Sequence, residues 1–205
     1  MYNKWWQLSE LNFSKKNPLT ARLFKAATSL MVLAWLLTST GRGNCEDVLS
    51  MEYHVKAVFL YNFAKYVDWP ATAFTNATEP ITVGVLGTDP FGDSLQHAVE
   101  GKVINGRPFV IKPLAANADL TGCQILFISD SEASRMGEIL ARAGALPVLT
   151  VGEDEAFAQN GGIINFVLKE GKVRLEIDLT TATKVGLKIS SRLLAVADLV
   201  KGKDN

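Results

Sequence analysis

Residues 52–70, EYHVKAVFLYNFAKYVDWP, constrain this chain more than any other stretch. The spacing predicts a helix over Met51–Asp68, with Ser50 as N-cap, Glu52 in the first turn and Pro70 barring continuation. Val55, Val58, Phe59, Phe63, Tyr66 and Val67 recur at helical intervals, and Ala57, Leu60 and Ala64 widen the apolar arc. His54, Tyr61, Lys65 and Asp68 share the polar stripe that remains. A helix apolar over so wide an arc needs a sheet against one side and another element beside it. The remaining sequence must supply that sheet.

It does so in short β-branched runs. ITVGVLG (81–87), RPFVIKPL (107–114), QILFIS (124–129) and LPVLTVG (146–152) read as strands, and GIINFVLKEGKVRLEIDL (162–179) as a hairpin turning at Glu170-Gly171. Between them, helices are expected from Phe91 to Val99 after an Asp89-Pro90 cap, and over SEASRMGEILARAGA. In the latter, Ser131 is the expected cap and Met136, Ile139 and Leu140 face inward. EDEAFAQNGG suggests a short helix closed by glycines, and SSRLLAVADLV a final one. This alternation predicts an α/β fold, a layered helix–sheet–helix domain with a largely parallel sheet and an antiparallel C-terminal hairpin.

The amino terminus has a different character. Lys4, Lys15, Lys16, Arg22 and Lys25 stand against Glu10 alone; the apolar run AATSLMVLAWLL (26–37) follows, then TSTGRGN. Basic, apolar and small segments in that order form a secretory signal peptide, here residues 1–43 with cleavage near 41–43. Residues 44–50 are expected as a short tail before a single domain over 51–202. Removal of residues 1–41 leaves a mature chain with a formal charge of −4, because they take five bases and one acid from a balance of zero. A mildly acidic exported domain is no nucleic-acid binder, since that function rests on basic patches. Cys45 and Cys123 both remain after cleavage. In an oxidising compartment they either form one disulfide or stand as a buried thiol and an inert terminal one.

The search for chemistry finds no catalytic set. GVLGTDPFG places Gly87, Asp89 and Gly92 in a loop between strand and helix, near Ser129 at the next strand end. Such loops can bind a ligand in an open α/β sheet. The spacing matches neither the dinucleotide fingerprint nor the phosphate loop. His54 and His97 form no metal motif, no nucleophile elbow occurs, and no cofactor is implied. For recognition, Tyr61, Lys65, Asp68 and Trp69 bring aromatic and charged groups together where the first helix ends. Lys172 and Arg174 stand on the second hairpin arm.

YHVKAVFLYNFAKYVDWP, VGVLGTDPFG, CQILFISDSEASRM, PVLTVGEDEAFAQNGGIINFVLKEGKVRLEIDL and GLKISSRLLAVA occur in this order. Together they resemble the YfiR-like family of bacterial periplasmic proteins, over about Glu52–Ala197. The resemblance implies a non-enzymatic α/β regulator that represses an inner-membrane diguanylate cyclase by engaging its periplasmic sensor region. It also implies an OmpA-like outer-membrane lipoprotein that sequesters the repressor, and a homodimer. Relief of repression raises cyclic di-GMP and favours biofilm formation. The sequence departs from well-known members in its cysteines, which allow one disulfide where those members carry two. The alternative class is a periplasmic small-ligand sensor or solute-binding module using Gly87, Asp89, Gly92 and Ser129. Amino-terminal sequencing of the exported protein is expected to find a first residue between about 40 and 46; an intact Met1 on a cytoplasmic species would refute export.

Overall fold

A computed structural model describes residues 44–202, with side chains from residue 48 onward, and residues 46–202 belong to one compact unit. The expected signal peptide and the Cys45 side chain lie outside the described residues. Helix α1 runs over Asn44–Tyr66, so it begins before Met51 and takes in the expected tail, leaving Ser50 inside the helix rather than capping it. It ends at Tyr66, where the short strand β1 (Val67–Asp68) pairs antiparallel with β9 (Lys188–Ile189).

The main sheet has eight strands. Its parallel centre is β2 (Ile81–Leu86), β4 (Arg107–Leu114), β5 (Ile125–Ile128), β6 (Leu149–Gly152) and β7 (Ile164–Lys169). β8 (Lys172–Asp178) turns back antiparallel on β7, with positive φ at Glu170 and Gly171 marking the predicted hairpin. β3 (Val103–Ile104) pairs antiparallel with β4 at the opposite edge. The strand order is β10-β8-β7-β6-β5-β2-β4-β3. This is the α/β layered architecture expected from the sequence.

Helices cover both faces. On one, α1 lays Ala57, Leu60, Phe63 and Ala64 against Val83, Val85, Ile125, Phe127 and Phe166. It is joined there by α2 (Asp93–Val99), α4 (Leu179–Lys184) and α5 (Ser191–Leu194). On the other, α3 (Met136–Ala143) buries Met136, Ile139 and Leu140 over Leu86, Leu126 and Ile128, and Cys123 is buried in that same cluster.

Four expectations need correction. Val55 and Val58 point away from the core, because the sheet-facing stripe of α1 is centred on Leu60 and Phe63. The cap before α3 is Ser129, whose hydroxyl accepts from Ser131 N at 3.4 Å, and a 3-10 turn over Asp130–Arg135 precedes the helix. Residues 153–162 form successive turns rather than a helix. Phe157 wedges between the Cα atoms of Gly152 and Gly162, where neither position has room for a Cβ. The final helix stops at Leu194, and Ala197–Val200 becomes β10, parallel to β8, because the open edge of β8 offers a full ladder of backbone partners.

Phe63 is fully buried and its ring stacks on Phe59 and Phe166 at 6.1 and 5.9 Å. Phe63→Ala is expected to cost about 3–5 kcal/mol in urea denaturation, the usual range for an emptied core ring. A loss below about 1 kcal/mol would mean that α1 is not anchored there.

Candidate functional site

In a parallel sheet the carboxyl strand ends are where loops converge to bind. β2, β5 and β6 lie side by side, so Gly87–Gly92, Ser129–Ser131 and Glu153–Asp154 meet at that end. Gly87 and Ser129 are brought together, but the space between them is closed. Thr88 N donates to Ser131 Oγ at 2.9 Å, and the Ser131 and Ser129 hydroxyls lie 3.3 Å apart. Gly87 has a φ of 93°, and a Cβ there would run into Ser131 Oγ. Asp89 uses Oδ1 to accept from Phe91 N at 2.8 Å, while Gly92 sits exposed before α2. The loop's polar groups are spent on holding its own shape.

Beside it lies a cluster the sequence reading missed. Lys56, 4% exposed, places Nζ 2.5 Å from Glu52 Oε1 and 2.5 Å from Glu153 Oε2. Tyr53 Oη donates to Glu153 Oε1 at 3.2 Å, and the ammonium stands 4.5 Å from the Tyr53 ring centroid. The Tyr53 ring meets Phe91 edge-on at 5.6 Å, and Phe91 in turn meets Phe127 at 4.7 Å. Burial pushes the Glu153 carboxyl up, against the pull of Lys56; Asp130 is raised by burial and by Asp154. The Tyr53 phenol is raised by burial and then by Glu153. One signal for this cluster was present in the sequence: Lys56 falls in line with Leu60 and Phe63, so it had to be buried with an acid.

At the other end of α1 lie the four residues expected for recognition. Tyr61 is half-buried, its ring 5.7 Å from Phe109 of β4. Trp69 is half-buried and donates from Nε1 to Gln124 O at 3.1 Å. Lys65 and Asp68 are exposed between them. A depression of about 150 Å³ adjoins Trp69, walled by Phe74, Ile104 and Arg107, whose guanidinium stacks 3.7 Å over the Phe74 ring. Arg174 does not join this group. It sits exposed on β8, and β7, β6, β5 and β2 separate that strand from β4. A larger depression, about 650 Å³, opens among α3, residues 159–161 and α4. The end of α3 precedes β6, residues 159–161 precede β7, and α4 follows β8, whose carboxyl end lies beside the amino end of β7, so the depression lies at the amino ends of the parallel strands. Among the described residues no helix is long and apolar enough to cross a membrane.

The family profile described as YfiR/HmsC-like matches residues 53–198, from Tyr53 to the first half of β10. The chain belongs to the YfiR/HmsC-like family. That family is one of periplasmic regulators rather than of enzymes. Among solved structures, a conserved domain protein from Vibrio cholerae O1 biovar El Tor is similar at 15% identity with a TM-score of 0.48. The alignment covers 71% of this chain and 60% of that one. A search of curated proteins finds no match.

The buried acids predict a pH dependence. Glu153 and Asp130 have folded pKa values above their unfolded ones, so the stability they contribute is full at low pH and is lost as pH rises through the raised values. Half-buried Glu79 and exposed Asp119 and Asp198 are lowered by hydrogen bonds and act oppositely, losing their contribution as pH falls. The melting temperature is therefore expected to rise as pH falls from neutrality toward the ordinary carboxylate range, then to fall below that range. Asp130→Asn should flatten the rise; an unchanged slope would free Asp130 of that role.

Proposed function

We propose that this YfiR/HmsC-like chain is a non-enzymatic periplasmic regulator that represses an inner-membrane diguanylate cyclase by binding its periplasmic sensor region. The observation that carries the reading is the family match itself, which takes in nearly every element of the described domain. Two structural features accord with it. The strand-end loops a small-ligand module would use are packed on themselves, and an aromatic group stands half-open at the end of α1.

Repression of this kind is a population shift. The regulator binds the inactive form of the sensor region more tightly than the active form, and a near-complete switch takes about 5.5 kcal/mol of difference. Trp69 and Tyr61 are the aromatic anchors, with Lys65 and Asp68 fixing orientation from the rim. The acceptor beside Trp69 holds roughly one apolar side chain of a partner. An OmpA-like outer-membrane lipoprotein that competes for the regulator would release the cyclase and raise cyclic di-GMP and biofilm formation.

Deleting the gene is expected to raise cyclic di-GMP, and deleting the partner cyclase as well should abolish the rise. In the intact strain, Trp69→Ala and Tyr61→Ala should weaken repression by at least about tenfold, while His97→Ala, on the exposed side of α2, should not. Melting curves must accompany Trp69→Ala, because its Nε1 also ties the segment after α1 to Gln124, the residue before β5. Unchanged cyclic di-GMP in a strain expressing all its cyclases would overturn the repressor reading.

A further inference from the structure

The depression between α3 and α4 encloses about 650 Å³, a volume within the range of small-molecule sites. Its rim is fixed by Asp178, which is 1% exposed and caps α4. That carboxylate accepts from Thr180 N at 2.8 Å, Thr181 N at 3.1 Å, Thr181 Oγ1 at 2.7 Å and Gly202 N at 3.0 Å. The bond from Gly202 pins the chain that leaves β10, and only glycine fits there. A Cβ on Gly202 would stand 2.7 Å from Asp178 Oδ2 and 3.0 Å from Ala158 O. Lys201 is thereby held at the mouth, which Lys184 of α4 also lines.

With four donors on it, Asp178 has no lone pair left for a ligand. The other polar groups are in the opposite condition. Among the described residues, the side chains of Gln159, Asn160, Thr180, Lys184 and Lys201 make no hydrogen bond or ion pair. The loops at the carboxyl strand ends spend their polar groups on themselves, and this depression does not. Its α3 wall is nearly bare of side chains, being built on Gly137, Ala141 and Gly144, with open space above Gly137.

We propose that this depression binds a small organic anion, a carboxylate or a phosphate monoester, with Lys184 and Lys201 on the charged group and the apolar body along Gly137 and Ala141. The inference does not rest on the cyclase reading. Charge sets the class: two ammonium groups line the site, and its one carboxylate is already offset by four donors, so a cation would meet no free carboxylate. Size follows from the volume, since an inorganic ion would leave most of it to water. The bare wall lets a flat apolar body approach the helix closely. α4 continues into β9, the partner of β1, so a bound ligand sits one element away from the clasp on the end of α1.

NMR titration of the purified, isotope-labelled chain tests this, with 1-naphthoate and 1-naphthyl phosphate as probes at about 0.1 M salt. The tighter-binding probe is expected to have a Kd below about 1 mM and to shift the amides of Gly137, Gly161, Thr180 and Gly202. Joint Lys184→Gln and Lys201→Gln substitution should weaken it at least about tenfold and leave the melting temperature unchanged, because both side chains are exposed. Lys112→Gln, at an exposed lysine of β4, should change neither. Absence of saturation by both probes up to about 5 mM would overturn the proposal. So would a double variant that binds as tightly as the native chain, or neutral 1-naphthalenemethanol binding as tightly as the anions. Inorganic phosphate binding as tightly as the naphthyl anions would overturn it too, since that marks attraction to surface lysines only.

Discussion

A single ammonium group fixes where the first helix lies. Lys56 Nζ is enclosed between Glu52, one turn back on α1, and Glu153, at the carboxyl end of β6. Removing either acid would strand a buried charge, and removing the lysine would strand Glu153 against Tyr53. An apolar helix on an apolar sheet can slide or rotate at modest cost, because hydrophobic packing is not directional. A buried ion pair with one correct partner cannot move with it. The contacts of Phe63 with Phe166, of Tyr53 with Phe91 and of Tyr61 with Phe109 all follow from that registration.

The same registration explains why α1 is apolar nearly all round. One face is spent on the sheet, and the Lys56 contact holds the opposite face outward along the helix's first turns. The recognition group at the far end sits where the chain leaves α1, and Trp69 reports the sheet's position through Gln124. Gln124 in turn donates to Ala73 O and accepts from Thr82 N, both at 2.8 Å. Helix end, following turn and strand β2 are thus tied to one buried residue, the first through its backbone carbonyl and the other two through its side-chain amide.

Much of the fold was legible because its strands are short apolar runs bounded by turn residues, and each of the four runs and the hairpin became a strand. The errors have local causes. SSRLLAVADLV carries a helical pattern, yet its second half found an unpaired strand edge, and ladder pairing outweighed propensity. EDEAFAQNGG reads as a helix, but Phe157 is held between two glycines by packing no window of sequence displays. Val55 and Val58 share one apolar arc with Phe63, and periodicity alone does not tell which part of that arc meets the sheet. In the site, Tyr61, Lys65, Asp68 and Trp69 were legible as chain neighbours, and Arg174, a separate feature of the hairpin, stands on β8 with four strands between it and β4. The Lys56–Glu153 pair joins residues far apart in the chain, so only the burial of Lys56 could have been read in advance.

The wedged Phe157 ring has a consequence for the whole scaffold. The segment that begins with Glu153, which grips α1 on one face of the sheet, is pinned a few residues later by Phe157 in the core beneath α3 on the other face. It works as a rivet driven through the sheet, with a charged head on one side and an aromatic foot on the other. Strain applied to the helix is carried through the sheet's thickness instead of peeling one layer from the next. A substitution at Gly152 or Gly162 would loosen a helix neither glycine touches.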